Sequence, residues 1–182
     1  MQLNYQHQIL VGTILGGSSL VRPSNGKNHH LVMRSKNPLW LRYKMAELHS
    51  YYSDYSMEGL KQYGNSYRAN SNSSEKLTEL YGELYQDGKR FVRMQTLDLL
   101  RDIALAIWFL DGGGLTGRDR KNAYLNTTKF GDGAEIILKY FNEIGISGKL
   151  NRDGKRTKIL FSVNGTKRFL ATTTHCFPGF ML

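Results

Sequence analysis

The chain is nearly without cysteine and has no long hydrophobic run. Its single cysteine among 182 residues, Cys176, excludes an internal disulfide framework and any metal cluster held by several thiolates. The longest apolar runs lie near Ile9–Leu15 and Ile103–Leu110, and both are far too short to span a bilayer. Polar residues interrupt the first positions, where a secretory signal needs an apolar core. We therefore expect an intracellular protein in a reducing compartment, with no membrane among its partners.

Acidic residues are scarce relative to basic ones. The chain has 15 Asp and Glu against 25 Lys and Arg, which gives a formal net charge of +10 at pH 7. A positive surplus of this size on a small protein indicates a polyanionic partner, with nucleic acid ahead of a membrane surface. The hydrophobic fraction of 40% is that of a folded chain. The composition thus predicts a folded domain that binds nucleic acid.

Three common kinds of site are missing from the sequence. The five histidines show no spacing that would place metal ligands together. The glycine run at 111–114 is followed by Leu115 and Thr116, without the lysine that a phosphate-binding loop requires. No serine, histidine and acid stand in an arrangement that supports nucleophilic catalysis. These absences argue against a histidine metal site, a nucleotide hydrolase and a serine hydrolase.

What the chain does contain is a repeated apolar segment that ends in glycine. Residues Leu10–Ser18 (LVGTILGGS) and Leu105–Gly113 (LAIWFLDGG) begin 95 positions apart, about half the chain length. Each is followed by polar and basic residues and then by a similar series of predicted elements. Self-similarity at a fixed spacing is typical of an internal duplication. We therefore predict two related halves, 1–86 and 103–182, joined by a linker at 87–102.

Each half is predicted to run α-β-β-α-β-β-α. Asn25-Gly26 is typical of a tight hairpin turn, and Asn37-Pro38 supplies a helix N-cap followed by a first-turn proline; Leu39 is expected to face the core. The first half is predicted to contain a helix ending at Leu15, strands Ser18–Pro23 and Asn28–Ser35, a helix after Asn37, strands Met57–Tyr63 and Ser66–Ser71, and a helix from Ser74. The second half is predicted to contain a helix Ile103–Leu110, strands Leu115–Arg118 and Ala123–Lys129, a helix Ala134–Asn142, a hairpin from Gly145 to Val163 that turns at Asp153-Gly154, and a helix capped by Asn164 or Thr166.

The two glycine-ended motifs resemble the nine-residue signature of the LAGLIDADG homing endonucleases. Further similarity lies in NSSEKLTELYGELYQDGKR before the second motif, in AYLNTTKF and IILKYFNEIGISGKL after it, and in the closing HCFPGFML. Together these segments cover nearly the whole chain. Two motifs in one chain resemble the layout of the monomeric members of that family.

This resemblance implies an α+β fold in which the duplicated halves are related by a pseudo-two-fold axis. The motif helices are expected to pack at the centre, where small residues such as Gly12 and Ala106 let the backbones approach closely. Two antiparallel sheets are expected to form a saddle over a long double-stranded DNA site. A β-surface in the major groove can read base edges, because each base pair presents a distinct pattern of donors and acceptors there.

The motifs depart from the family at the positions that carry its chemistry. In the family the penultimate motif position is an acid, and the two acids hold the divalent metals, Mg²⁺ in particular, that drive phosphodiester hydrolysis. Gly17 and Gly112 occupy these positions here. The preceding residues, Gly16 and Asp111, can offer backbone carbonyls, but a one-residue helical step of about 100° is expected to turn the Asp111 side chain away from the axis. We therefore expect Mg²⁺ to be held weakly or not at all, and cleavage to be lost or very weak.

The resemblance also assigns residues that contact DNA. Lys89 matches a basic position of the family that lies near the scissile phosphates. On the hairpins, arginine can bind guanine and asparagine can bind adenine, whereas lysines in turns more often meet phosphates. The candidates in the first half are Arg22, Lys27, His30, Arg34, Lys61, Tyr63, Arg68 and Asn70. Those in the second half are Arg118, Arg120, Tyr124, Asn126, Lys149, Asn151, Arg152, Arg156 and Lys158.

The residues leave several functions open. The leading prediction is a monomer that binds a specific duplex DNA site and has lost its cleavage acids. One alternative is an active homing endonuclease with an atypical metal site. Others are a maturase that binds group I intron RNA and a transcriptional regulator built on the same fold. Affinity for duplex DNA measured against affinity for structured intron RNA separates the DNA-binding functions from the maturase.

Overall fold

Two four-stranded antiparallel sheets flank a central pair of helices in this protein. The computed structural model describes residues 4–53 and 60–181. Within those residues no helix combines the length and apolar character needed to cross a membrane. The sheets have the strand orders β1-β2-β4-β3 and β7-β8-β10-β9, so the second sheet repeats the connectivity of the first. The duplication predicted from the repeated motifs is therefore present in the topology.

The first half follows the predicted order of elements. The side chains of Asn4, Asn37 and Ser74 accept backbone hydrogen bonds at the starts of three helices, as expected of N-caps. The part of the predicted third strand at 57–59 lies outside the described residues. The elements are α1 Tyr5–Gly16, β1 Ser19–Val21, β2 His30–Ser35, α2 Pro38–Glu47, β3 Lys61–Tyr63, β4 Ser66–Asn70 and α3 Glu75–Leu84, with a 3₁₀ turn at His49–Tyr51.

The segment between the halves is folded against both of them. It forms a short hairpin of β5 Tyr85–Gln86 and β6 Lys89–Arg90, followed by α4 Met94–Asp98. Val92 and Leu97 are fully buried and belong to the common hydrophobic core. The predicted linker therefore contributes to the packing between the halves.

The second half repeats the pattern of the first. Its final helix begins earlier than predicted, because the N-cap is Ser162, two residues before Asn164 and four before Thr166, and Ser162 accepts the hydrogen bond from the Gly165 N–H at 3.0 Å. Thr166, a predicted cap, instead accepts from the Ala123 N–H at 2.8 Å and joins the helix to the sheet. The elements are α5 Asp102–Gly112, β7 Gly113–Thr116, β8 Asn122–Asn126, α6 Gly133–Glu143, β9 Gly148–Asp153, β10 Arg156–Phe161 and α7 Val163–Thr173, with 3₁₀ turns at Thr128–Phe130, Thr174–Cys176 and Gly179–Met181.

Alternation along the strands sets one apolar face and one polar face on each sheet. Leu31 and Met33 on β2 lie on the inner face and are fully buried, whereas Arg34, the residue after Met33, lies on the outer face and is exposed. The same alternation buries Ile159 and Phe161 on β10. The prediction for Leu39 is wrong, since its side chain is 51% exposed at the first turn of α2. The inner faces pack on the helices and leave the outer faces free for a partner.

The centre of the molecule is the contact between α1 and α5. A Cβ added to Gly12 would overlap the carbonyl oxygen of Ala104, and one added to Gly112 would lie 2.6 Å from the carbonyl oxygen of Gly16. The expected small-residue contact is therefore present, but Gly12 faces Ala104 rather than Ala106. Because only glycine leaves space for such an approach, the two helices touch through their backbones.

We expect Gly12→Ala to lower the free energy of unfolding by about 1–3 kcal/mol, because the added methyl group must push the helices apart. Gly82→Ala is the matched control, since Gly82 lies in α3 and an added Cβ meets no described atom within 4 Å. That control should raise the free energy of unfolding by about 0.5–1 kcal/mol through helix propensity alone. Urea denaturation of both variants measures the difference, and equal effects at the two sites would contradict the close contact.

Candidate nucleic-acid interface and helix junction

The outer face of the first sheet carries three cations in one row. Arg34 on β2 lies directly opposite Arg68 on β4, and Arg68 lies opposite Lys61 on β3. Like charges placed opposite each other destabilise an antiparallel sheet. The row therefore favours an anionic partner that offsets this repulsion.

The other predicted contact residues of the first half surround this row. The Arg68 guanidinium donates to Asn70 Oδ1 at 2.8 Å and lies 5.9 Å from the centre of the Tyr63 ring. Partial burial and the nearby charge of Arg68 lower the pKa of His30, so its imidazole is neutral over a wider pH range. Arg22 and Lys27 flank the β1–β2 turn, where Arg22 Nε donates to the Gly26 carbonyl oxygen at 3.0 Å.

The outer face of the second sheet has an equivalent but less charged row. Lys158 on β10 lies between Asn126 on β8 and Asn151 on β9. Its ammonium group lies 5.2 Å from the centre of the Tyr124 ring. The remaining predicted residues of this half are Lys149 and Arg156 on the hairpin strands and Arg118 and Arg120 in the β7–β8 turn.

Arg152 is the one predicted contact residue that faces the other way. It lies opposite Thr157, on the side of the sheet that carries Ile159 and Phe161. Its guanidinium donates to Glu135 Oε1 on α6 at 2.7 Å. The structure thus places Arg152 on the helix side, apart from the outer face.

The ends of α1 and α5 meet between the two sheets, and we call this region the helix junction (Gly16, Gly17, Asp111 and Gly112). Gly17 has φ 151° and ψ −18°, in the region that favours glycine. Two cavities open beside the junction, one of about 410 Å³ toward the first sheet and one of about 360 Å³ toward the second. Both are lined by Gly16, Gly17 and Asp111, and by Lys129 from the 3₁₀ turn after β8.

The one carboxylate at the junction is already neutralised by the protein. Lys44 Nζ lies 2.8 Å from Asp111 Oδ1 and 2.7 Å from Oδ2, and Trp40 Nε1 donates to Oδ1 at 2.6 Å. The Lys44 side chain is fully buried and that of Asp111 is 8% exposed. The expectation that Asp111 points away is wrong, because its side chain packs on Gly16 and crosses to α2 of the other half.

Two cations bind the carbonyl groups at the end of α1. Lys129 Nζ donates to the Gly17 oxygen at 3.1 Å. The buried Arg90 guanidinium donates to the carbonyl oxygen of Ser18 and, at 3.5 Å, to that of Leu15. Burial lowers the pKa of Lys129, and the charge of Arg90 lowers it further. These cations complement the negative end of the helix dipole.

Sequence reasoning selected Lys89 and missed its neighbour Arg90 and the distant Lys129. Lys89 is exposed and lines a separate cavity, beside the junction, together with Arg90 and Lys129. Strand alternation could have identified Arg90, because adjacent residues of a strand face opposite sides and an exposed Lys89 implies that Arg90 faces the interior. Nothing in the local sequence pairs Lys129 with Gly17, because 112 positions separate them.

The junction has the wrong donors for a divalent metal. Mg²⁺ demands octahedral geometry and is usually held by one or two protein carboxylates together with water and substrate phosphates. Among residues 4–53 and 60–181, no three His, Cys, Asp or Glu side chains form a group that could hold a metal ion. The Asp111 carboxylate is taken by Lys44, and the Gly17 carbonyl by Lys129. The residues at the junction therefore fit an anion better than a metal.

Comparison with known proteins gives one family and several structural relatives. The profile of the LAGLIDADG DNA endonuclease family matches residues 7–169. The homing endonuclease I-WcaI, bound to its DNA recognition sequence, superposes with a TM-score of 0.85 at 19% identity, over 100% of this chain and 86% of that one. I-DmoI in complex with DNA and Mn gives a TM-score of 0.59 at 15% identity, over 91% and 93% of the chains. At these identities the likeness shows the fold, and it confirms the predicted α+β class.

A curated relative shares a shorter region. Protein RecA of Mycobacterium shimoidei is 28% identical over 127 residues, which are 63% of this chain and 27% of that protein. The chain thus spans about a quarter of the length of this relative.

Asp111→Asn should lower the free energy of unfolding by about 3–5 kcal/mol, because it leaves the buried Lys44 ammonium without a counter-charge. Asp119→Asn provides the matched control, since the Lys121–Asp119 pair is 66% and 59% exposed and such pairs contribute less than about 1 kcal/mol. Thermal and urea unfolding measure both variants. A loss of stability below about 1 kcal/mol for Asp111→Asn would contradict this prediction, because the Lys44 ammonium group would then be stabilised by water or by another group.

Proposed function

The chain belongs to the LAGLIDADG DNA endonuclease family, and we propose that it binds a long, specific duplex DNA site as a monomer and cleaves it weakly or not at all. The observation that carries this proposal is the contrast between the outer faces of the sheets and the helix junction. The outer faces of the sheets keep rows of cations and amides, while the helix junction has glycine at both acid positions.

Support for binding comes from the geometry of the outer faces. Arginine and lysine in rows across a sheet neutralise phosphates, and the interleaved asparagines offer both donors and acceptors to base edges. The related homing endonucleases of this fold are described in complex with DNA. A monomer suffices because both motif helices and both sheets come from one chain.

Support for the loss of cleavage comes from the charge balance at the junction. Phosphodiester hydrolysis in this family depends on a metal that polarises the phosphate and generates hydroxide. Without carboxylates at Gly17 and Gly112, and with Asp111 paired to Lys44, the junction has no free negative charge among the described residues with which to hold that metal. Binding and cleavage are thereby uncoupled in this chain.

The backbone conformation and packing at the junction also favour glycine at both acid positions. A side chain at Gly17 would have open space but a strained backbone, since φ is 151°. A side chain at Gly112 would meet the Gly16 carbonyl oxygen at 2.6 Å. Restoring the two acids therefore requires the helix ends to move as well as the charges to return.

The first test is the salt dependence of binding to a duplex selected from a randomised library. The logarithm of affinity should fall linearly with the logarithm of salt concentration, with a slope of about −0.9 for each phosphate contacted. Arg68→Gln should make this slope shallower by about 1. Arg152→Gln is the control, because Arg152 faces α6 and should leave the slope unchanged. A slope near zero would contradict binding through phosphate contacts. Tighter binding to group I intron RNA than to the duplex would favour the maturase function instead.

The second test is cleavage of a plasmid that carries the selected site. The unmodified chain should bind without cutting in Mg²⁺ or Mn²⁺. Gly17→Asp combined with Gly112→Asp should introduce slow strand cleavage, and either change alone should give nicking at best. The double variant should lose about 1–3 kcal/mol of stability through overpacking at Gly112.

Gly17→Asn with Gly112→Asn is the control for this second test. Asparagine has the size of aspartate without its charge, so the amide variant should show the same loss of stability and no cleavage. Efficient double-strand cutting by the unmodified chain would show that the catalytic acids lie elsewhere.

A further inference from the structure

The outer face of the second sheet carries two half-buried apolar side chains that do not belong to the hydrophobic core. Leu160 on β10 lies between Ile159 and Phe161, which are fully buried on the inner face, so strand alternation places the Leu160 side chain on the outer face. Tyr124 on β8 lies directly opposite Leu160. Within the described part of the chain, neither residue packs against the core. The two therefore form an apolar patch on a face that otherwise carries polar side chains.

Two neighbours fix the position of the Tyr124 ring. Gly114 on β7 lies opposite Tyr124, and a Cβ added to Gly114 would lie 3.0 Å from the Tyr124 hydroxyl oxygen. The ring thus extends over β7, into space that a larger residue would occupy. The Lys158 ammonium group lies 5.2 Å from the centre of the same ring. A ring held in this way presents an apolar surface that loses little side-chain freedom when a partner binds.

Two asparagines lie in the next row of the sheet, and they differ in what they offer to a ligand. Asn126 and Asn151 are the residues on either side of Lys158. The backbone N–H of Thr128 donates to Asn126 Oδ1 at 3.0 Å, which leaves the NH₂ group of Asn126 as an oriented donor. The Asn151 amide makes no hydrogen bond within residues 4–53 and 60–181, so both its donor and its acceptor are available.

Apolar contact and paired amide hydrogen bonds both distinguish A·T from G·C pairs in the major groove. Thymine presents a methyl group there, and adenine presents an adjacent donor and acceptor that an asparagine amide matches.

We propose that the second outer face is specific for A·T pairs: the Tyr124–Leu160 patch contacts thymine methyl groups, and Asn151 binds adenine. Asn126 supplies a further donor to the same segment of DNA. Lys149, which lies opposite Leu160 on β9, neutralises a phosphate beside it. This inference rests on the proposed duplex binding and specifies which base pairs the second half of the protein reads.

The separation of the two rows sets the separation of the bases. Leu160 and Lys158 are two residues apart on β10, so their rows lie about 6.6–6.8 Å apart. This distance equals the rise of about two base pairs, at about 3.4 Å for each. We therefore expect the thymine that contacts Leu160 and the adenine that binds Asn151 to lie within about four base pairs of each other.

Deoxyuridine in place of thymidine tests the apolar patch, because it removes only the methyl group. Each thymidine of the selected duplex is replaced in turn, and affinity is measured by fluorescence anisotropy. Wild-type protein should lose about fourfold in affinity at one or two positions, as expected for one buried methyl group. Leu160→Ala should be insensitive to deoxyuridine at those positions. Leu115→Ala is the matched control and should keep the wild-type pattern, since Leu115 is 43% exposed but lies on the inner side of the same sheet, opposite Ala123.

A second measurement tests the amide contact. 7-Deazaadenine, which lacks the acceptor nitrogen at position 7, replaces each adenine within four base pairs of the sensitive thymines. Wild-type protein should lose about threefold to tenfold in affinity at one of these adenines, and Asn151→Ala should be insensitive there. Asn151→Ala should keep the response to deoxyuridine, and Leu160→Ala should keep the response to 7-deazaadenine. This reciprocal pattern distinguishes the loss of a contact from a folding defect in either variant.

The outcomes separate this inference from the function on which it rests. A selected duplex in which no thymine responds to loss of its methyl group overturns the A·T specificity and leaves duplex binding standing. A deoxyuridine response that is the same in Leu160→Ala as in wild-type protein overturns it as well. So does a 7-deazaadenine response that is unchanged in Asn151→Ala. Failure to bind any duplex from the library overturns both proposals.

Discussion

The contact between α1 and α5 is the constraint on which the rest of this molecule depends. The two backbones touch at Gly12 and again where Gly112 meets the Gly16 carbonyl group. Each helix leads directly into the first strand of its own sheet, so the helix contact fixes the distance between the two outer faces. It also leaves the two cavities at the place where the helices end. Packing and recognition are therefore set by the same few glycines.

The buried charged groups beside this contact, Lys44, Asp111 and Arg90, each bind a group from another part of the chain. Lys44 of the first half neutralises Asp111 of the second, and Arg90 of the connector binds carbonyl oxygens at the end of α1. A buried ion pair is weak evidence for stability by itself, because desolvation opposes the Coulomb attraction. Its effect here is on geometry, since it holds α2 against α5 and neutralises Asp111, the one acid that lines the two cavities among the described residues.

Short-range patterns in the sequence were sufficient to predict the helices and strands. They carry no information on contacts between residues that are distant in the chain. Asn-Pro and the glycine-ended motifs predicted the order of helices and strands because caps depend on adjacent residues. The tight turn predicted at Asn25-Gly26 is wrong, since β1 ends at Val21, β2 begins at His30 and neither Asn25 nor Gly26 has a positive φ. The final cap moved to Ser162 because several polar residues stand together there and only the tertiary contact of Thr166 decides among them. The pairing of Lys129 with Gly17 joins residues 112 positions apart, and no short-range pattern encodes it.

The two rows on the outer faces differ in composition although they occupy equivalent places. Arg34, Arg68 and Lys61 stand across the first sheet, whereas Asn126, Lys158 and Asn151 stand across the second. Two identical subunits related by an exact dyad would present the same row twice and would prefer an inverted repeat. When the two halves belong to one chain, they need not carry the same residues at equivalent positions. A duplex lying across both sheets would meet charge at one end and amides at the other, so a palindromic sequence would suit only one half of this protein.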